Sequence, residues 1–204
     1  MPSVSLTLVT DGSSDRVLLP LIEALMDQHC PDPFISRFAD GLPPNARTTS
    51  ERMKAALRLY PCDLLFVHRD AESSDSATRE EEIRQGLEGI TPPPSLICVI
   101  PVRMTEAWLL TSETAIRAAV GNPNGSVGLN LPPAAKLESV DAKEVLFRAL
   151  EAAKDLGTRR TRKFRPEAYR HRIAELLEEI DSLRRLPSFR HLEAQVSAFF
   201  STKF

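Results

Sequence analysis

Short apolar runs alternate with longer amphipathic segments through the first hundred residues of this 204-residue chain. The apolar runs lie near residues 3–10, 34–39, 62–68 and 95–102. Between the first two of them, apolar side chains recur at the spacing of a helix face. Alternation of this kind is typical of βαβ units, which assemble into parallel sheets. The sequence therefore predicts an α/β fold, an open parallel sheet of about four strands flanked by helices.

The pattern changes to helices alone after the fourth apolar run. A segment rich in Gly, Asn and Pro, residues 122–133, is expected to be a loop among these helices. We expect the chain to divide into an α/β core over residues 1–120 and a helical C-terminal extension over residues 121–204 that packs on the core as one structural unit. The predicted helices of this part cover residues 105–120, 141–156, 166–185 and 188–201.

The composition is that of an ordinary folded protein and points to no single function. Hydrophobic residues make up 42%, charged residues 26%, and the formal net charge is -2, so the whole chain is not a polyanion-binding surface. Cys30, Cys62 and Cys98 lie far apart without a CxxC motif, which argues against a disulfide framework or a zinc site. Neither a signal peptide nor a membrane-spanning run is visible. We expect a cytoplasmic protein that does not contact a membrane.

Acidic side chains follow two of the predicted strands at the point where each strand ends. Asp11 and Asp15 belong to a DGSSD turn after the first strand, and Asp70 and Glu72 follow the third. Because the carboxyl ends of parallel strands meet at one edge of a sheet, we expect these side chains to converge. Carboxylates held close together repel one another, and a bound divalent cation relieves the repulsion. Oxygen ligands without a histidine pair or a thiolate favour Mg²⁺ or Mn²⁺.

Basic and acidic side chains near the same strand ends extend this pattern. Arg69 is expected either to hold a phosphate or to pair with a carboxylate, whereas His68 is interpreted as a strand-end side chain rather than a ligand. Arg103 and Glu106 follow the fourth strand and open toward the same edge, although a glutamate also suits the first turn of a helix. A third strand end that supplies an acid and a base strengthens the prediction of a site.

One segment near the C-terminal helices concentrates positive charge. Residues 158–165, TRRTRKFR, carry five positive charges in eight positions. Such a run is either a solvated loop or a contact for the phosphate backbone of a nucleic acid. The candidate nucleic-acid-binding residues of this segment are Arg159, Arg160, Arg162, Lys163 and Arg165.

The acidic motifs resemble those of a Toprim domain. Residues 8–15, LVTDGSSD, and residues 70–72, DAE, are similar to the signature of topoisomerases, DnaG-type primases and OLD-family nucleases. That signature is an acid–glycine turn after the first strand and an Asp-x-Asp after a later one. Asp11 stands where the family usually has glutamate, and Glu72 where it has the second aspartate. A closer resemblance, to small stand-alone Toprim-like bacterial proteins, is carried by residues 67–72, 103–110 and 121–125.

The resemblance implies a Mg²⁺- or Mn²⁺-dependent nuclease, a phosphodiesterase acting on DNA or RNA, as the effector of an anti-phage defence system. It implies that Asp11 aids proton transfer or binds metal, and that Asp70 and Glu72 bind Mg²⁺. Asp15 and Glu106 are implied to complete or orient the site.

The remaining expectations concern basic side chains near the site and the partners of the protein. Arg69 and Arg103 are the candidate catalytic cations, and Lys143 is either a phosphate contact or a solvent-facing helix residue. Proteins of the resembling group are often encoded beside an OLD-like or SMC-like ATPase, which makes such an ATPase an expected partner. Pairing with a second copy of the chain is left open.

Two other functions stay open on the same residues. The acids also suit a non-catalytic regulatory or binding subunit of a partner ATPase, because the chain has no GxxxxGK[ST] motif of its own for ATP hydrolysis. Receiver-like domains, which take a phosphate on an aspartate such as Asp70, also cluster aspartates at strand ends.

Overall fold

The protein is an α/β fold with a four-stranded, all-parallel open sheet flanked by helices, as the sequence predicts. The chain forms two compact units, the first made of Met1–Ile100 with His191–Phe204 and the second of Pro101–Arg190. The whole sheet belongs to the first unit. A computed structural model describes residues 4–71, 75–155, 164–177 and 180–203.

The order of the strands creates a crevice at one edge of the sheet. The strand order is β2–β1–β3–β4, so the chain passes from β1 to β2 on one side and then crosses β1 to reach β3 and β4 on the other side. Ligands bind at the carboxyl ends of strands where the winding reverses in this way. Val9 pairs with Val67, so the residues that follow β1 and β3 leave the sheet at the same level. The strands are β1 (Val4–Val9), β2 (Phe34–Phe38), β3 (Leu64–His68) and β4 (Ser95–Val99).

Helices between the strands bury apolar faces in the first unit. The chain after β1 passes through a short 3-10 helix, Ser13–Val17, which Gly12 precedes in extended conformation without a side-chain cap. The α-helices of this part are α1 (Leu18–His29), α2 (Thr49–Leu59) and α3 (Ser76–Gln85).

Helix α2 has the best-defined start of these helices. The side chain of Thr48 accepts a hydrogen bond from the backbone N–H of Glu51, and the Glu51 carboxylate accepts one from the backbone N–H of Thr48. This capping box satisfies donors that the first turn of a helix leaves without partners. On its buried side, α2 places Met53 and Ala56 in a core that includes β-strand and α3 side chains. The helix is thus held both at its start and along one face.

The second unit is helical, but two of its predicted helices are broken. The predicted helix over 105–120 is wrong, because Ser112 accepts a hydrogen bond from the backbone N–H of Ala115 and starts a new helix. The predicted helix over 166–185 is also wrong, since a 3-10 helix, an α-helix and a second 3-10 helix occupy the described part of this range. The α-helices are α4 (Glu106–Leu109), α5 (Glu113–Ala119), α6 (Ala142–Lys154) and α7 (Arg170–Leu176). The 3-10 helices are Ala134–Lys136, Pro166–Tyr169 and Ile180–Arg185.

The predicted start of α6 is confirmed and its predicted end is not. The Asp141 carboxylate accepts a hydrogen bond from the backbone N–H of Glu144, as expected for its helix cap. The helix ends at Lys154, where Asp155 adopts the left-handed conformation with φ of 49°. Leu156, where the sequence predicts the helix to end, lies outside the described residues.

The last helix, α8 (Pro187–Lys203), supplies the C-terminal part of the first unit. There Gln195 binds both backbone groups of Cys98 in the edge strand β4, accepting from the N–H at 2.9 Å and donating to the carbonyl at 3.0 Å. An edge strand offers unpaired backbone groups to other chains, so this side chain protects part of that edge. No helix within the described ranges has both the length and the apolar character that crossing a membrane requires.

Candidate functional site

The turn after β1 is held by hydrogen bonds that fix the position of two aspartates. The Thr10 hydroxyl donates to the Gly12 carbonyl at 2.7 Å, and Arg52 of α2 donates from Nε to the Thr10 carbonyl at 2.8 Å. The backbone N–H of Asp15 donates to the same Gly12 carbonyl at 3.3 Å. As a result Asp15 lies in the 3-10 helix with its side chain mostly buried, whereas the Asp11 side chain is about half exposed.

His68, the last residue of β3, lies between two carboxylates. Its side chain is almost fully buried, and Nδ1 is 3.1 Å from the Val99 carbonyl oxygen. Because a carbonyl only accepts hydrogen bonds, Nδ1 carries the hydrogen. The other ring nitrogen, Nε2, is 3.9 Å from Asp15 Oδ2 and 3.7 Å from Asp70 Oδ1. The acids that follow β1 and β3 therefore do approach a common point.

Burial dominates the protonation of this histidine. It lowers the pKa of His68 below the ordinary value, although the nearby Asp15 carboxylate and the contact with Val99 act in the opposite direction. The imidazole is then neutral near pH 7, and Nε2 presents a lone pair. A lone pair and two carboxylates around one small space form an electron-rich pocket, which a cation stabilises.

Arg69 connects the end of β1 to the start of α2. Its Nε donates to Asp11 Oδ2 at 2.9 Å, and its Nη1 donates to the Thr49 hydroxyl at 2.6 Å. Arg69 thus pairs with a carboxylate, one of the two roles that the sequence suggests for it. A guanidinium has five N–H donors, and these two bonds use only two of them. The Asp11 charge is balanced, and the cation is held beside the aspartates.

The oxygen and nitrogen atoms at this edge of the sheet are of the types that bind divalent cations. Carboxylates such as those of Asp15 and Asp70 suit Mg²⁺ and Mn²⁺, and an imidazole nitrogen is a donor that transition metals accept more readily than Mg²⁺ does. Within the described residues, no three His, Cys, Asp or Glu side chains form a ready-made metal-binding group. Glu72, the remaining predicted ligand after β3, lies outside the described residues.

Arg103 and Glu106, which the sequence assigns to the same site, belong to the second unit and have partners there. Glu106 is buried at the start of α4, and its Oε1 is 3.2 Å from Nη2 of Arg170. Arg103 adopts a left-handed backbone conformation with φ of 64°, and its Nη1 donates to the Ser139 carbonyl at 3.0 Å. Their roles at the aspartates stay predictions.

The candidate nucleic-acid contacts are described only in part. Lys143 is exposed on α6, with its ammonium 5.8 Å from the centre of the Phe147 ring, and Arg165 is exposed just before Pro166. An exposed lysine over an aromatic ring is compatible with either role that the sequence suggests for it. The other members of the basic segment lie outside the described residues, namely Arg159, Arg160, Arg162 and Lys163.

A small recess adjoins the aspartates on the side of β2. It has a volume of about 290 Å³, and its walls include Asp11, Gly12, Ala39, Asp40 and Arg52. These residues follow β1 and β2 or come from α2, so the recess opens at the same edge of the sheet as the His68 cluster. Its size is near the lower limit for small-molecule sites.

The sequence interpretation missed His68 as a site residue. A histidine at the end of an apolar strand is usually a structural side chain, and the third strand was expected to contribute its acids instead. One signal was present: His68 and Asp70 are two positions apart, so an extended chain places them on the same face. The spacing of residues in the sequence does not show that Asp15 approaches His68, because the position of Asp15 depends on the 3-10 turn.

Comparison of the chain with protein-family models, with curated proteins and with solved structures finds no match. The resemblance to Toprim domains is carried by the residues of this chain alone.

Proposed function

We propose that this protein is a metal-dependent phosphodiesterase, a Toprim-like nuclease that cleaves DNA or RNA with Mg²⁺ or Mn²⁺. One observation carries the proposal: the carboxylates of Asp15 and Asp70 flank Nε2 of the buried His68, 3.9 Å and 3.7 Å away. This cluster lies where the winding of the sheet reverses, which is the usual ligand crevice of open α/β folds.

In this proposal the acidic residues and Arg69 have different roles. Asp15 and Asp70 would hold the ion, with Glu72 as a further ligand by resemblance. When bound, a divalent ion neutralises phosphate charge and lowers the pKa of a coordinated water. Arg69, held in place by Asp11 and Thr49, has N–H donors left for a phosphate oxygen.

The proposal also covers how the protein contacts the nucleic acid and where it acts in the cell. The basic segment 159–165 and Lys143 would contact the phosphate backbone outside the cleavage site. We further propose that the protein acts in the cytoplasm as the effector of an anti-phage system, beside an OLD-like or SMC-like ATPase. These assignments follow from the basic residues and from the resemblance.

Cleavage of plasmid DNA and of transfer RNA with Mg²⁺ or Mn²⁺ tests the activity. The substitution Asp70→Asn keeps the shape of the side chain and removes its charge, so we expect cleavage to fall by about 100-fold or more. Asp27→Asn, an exposed position on α1, is the matched control and should cleave as the wild type does. Undiminished cleavage by a folded Asp70→Asn protein would contradict the proposal.

One specific observation favours a second candidate, a non-catalytic regulatory subunit of a partner ATPase. The resemblance assigns proton transfer or metal binding to Asp11, yet Asp11 is engaged by Arg69 at 2.9 Å. The guanidinium occupies the carboxylate oxygen Oδ2, so this oxygen does not bind a metal ion or a proton in this arrangement. Metal binding by the wild type without cleavage of any nucleic acid, together with copurification of an ATPase, would support this second function.

A further inference from the structure

A groove of about 660 Å³ lies on the first unit at the amino ends of β3 and β4. One wall is the second half of α2, with Lys54, Leu57 and Arg58, and the other is the segment 89–95 before β4. Because the strands are parallel, their amino ends lie at the opposite edge of the sheet from the candidate active site. The groove is therefore a separate feature, and its volume is typical of small-molecule sites.

The groove carries two neighbouring cations on one wall. Lys54 and Arg58 are exposed, one helical turn apart on α2, and neither has an ion pair or a side-chain hydrogen bond among the described residues. Like charges at this spacing repel one another. The carboxylate in the lining, Asp63, is already engaged, since it accepts hydrogen bonds from the Ser5 N–H at 2.9 Å and the Ser5 hydroxyl at 2.7 Å. A dianion between the two cations would relieve this repulsion.

The rest of the lining includes several apolar side chains and a stiff run of prolines. Leu57 and Ile90 are partly buried, and the consecutive prolines 92–94 fix their own backbone angle φ. Burial raises the pKa of the Cys62 thiol, so this side chain is neutral and adds to the apolar surface. A pre-formed cavity with apolar walls and a few charged groups is the usual form of a small-ligand site.

We propose that this groove binds a small organic phosphate. The phosphate lies against Lys54 and Arg58, and the flat apolar part of the ligand packs on Leu57, Ile90 and the prolines. A phosphate monoester carries nearly two negative charges at pH 7, which matches two adjacent cations better than a carboxylate does. The proposal concerns a second site and does not depend on nuclease activity.

Calorimetric titration of the full chain with adenosine monophosphate, without divalent metal, tests the proposal. Adenosine and inorganic phosphate each supply half of the ligand, and we expect each to bind at least about tenfold more weakly. The double substitution Lys54→Gln/Arg58→Gln should weaken binding of the nucleotide by a similar factor. The double substitution Arg47→Gln/Lys136→Gln removes the same two charges at exposed positions outside the groove, so it should bind the nucleotide as the wild type does.

Two further measurements separate this site from the candidate active site. Asp70→Asn should leave nucleotide binding unchanged, and bound nucleotide should slow alkylation of Cys62 in a Cys30→Ser background, where the third cysteine, Cys98, is buried. Absence of nucleotide binding, or binding that the double variant retains at the wild-type affinity, would overturn the proposal. Circular dichroism of each variant establishes that a loss of binding is not a loss of the fold.

Discussion

The ring of His68 owes its orientation to the backbone of the neighbouring strand. Its Nδ1–H donates to the Val99 carbonyl, which also accepts the backbone N–H of Arg69 at 3.2 Å. The other ring nitrogen, Nε2, is thereby placed near both Asp15 and Asp70. The imidazole can therefore be replaced without leaving the buried carbonyl unsatisfied.

The substitution His68→Phe tests whether this nitrogen binds the metal ion. Phenylalanine has a similar ring and no donor, and Val99 keeps its bond from Arg69, so we expect a loss of stability below about 2 kcal/mol. The affinity for Mn²⁺ should fall by at least about tenfold, as measured by calorimetry with the metal alone. Unchanged Mn²⁺ affinity would show that His68 is not a ligand, and His171→Phe at an exposed position serves as the control.

Cys98, in the edge strand β4, gives the protein an alkaline pH dependence. Burial raises its pKa to about 12, from an ordinary value of 9.0. The unfolded chain therefore loses the thiol proton first, so this residue destabilises the folded state as the pH rises from about 9 toward 12. Urea unfolding at pH 8 and pH 10 should show the wild type losing about 1 kcal/mol more stability than Cys98→Ala. Parallel pH profiles for the two proteins would contradict this assignment.

At the scale of elements, helix α2 links the two ligand sites that we propose. Its first turns supply Thr49 to Arg69 and Arg52 to the turn after β1, whereas its second half lines the groove with Lys54 and Arg58. Fraying of its start would release Arg69 from one of its two side-chain partners. The capping box at Thr48 is thus connected to the candidate active site through a single helical turn.

Removal of the cap should weaken the helix and the site together. Thr48→Ala loses the side-chain acceptor for the Glu51 N–H, so we expect a cost of about 1 kcal/mol in the free energy of unfolding, measured in urea. Thr48→Ser keeps the acceptor and should cost much less. Equal stability of the alanine and serine variants would show that the cap contributes nothing.

At the scale of the whole molecule, apolar periodicity was enough to predict the sheet. All four strands form at the predicted positions, with the acids of β1 and β3 leaving the same edge. Residue spacing could not predict which acid approaches His68, because Asp15 is placed by bonds from Thr10 and Arg52, which are distant in sequence from β3. The break before α5 was likewise hidden, since the Ser112 cap interrupts a continuous apolar pattern.

The first unit contains residues from the C-terminal end of the chain, and these residues contribute to its packing. Its sheet is complete by residue 99, yet His29 pairs with Glu193 at 3.0 Å, and Gln195 binds both backbone groups of Cys98 in the edge strand. The same stretch of α8 carries buried apolar side chains, at Leu192, Val196 and Phe200. The α/β part of this protein is therefore discontinuous in sequence.

A chain that ends after Arg190 should lose a stably folded first unit even though it retains every strand. Burial of one large apolar side chain stabilises a protein by about 1.5–3 kcal/mol, so the three that are removed supply roughly 5 kcal/mol or more, which approaches the whole stability of a typical domain. Thermal unfolding followed by circular dichroism, with hydrogen exchange at β4, measures the loss. A chain that ends after Phe200 lacks residues 201–204, of which Ser201 and Thr202 are exposed, and should unfold as the wild type does. Wild-type exchange protection of β4 in the shorter chain would mean that α8 is dispensable for the sheet.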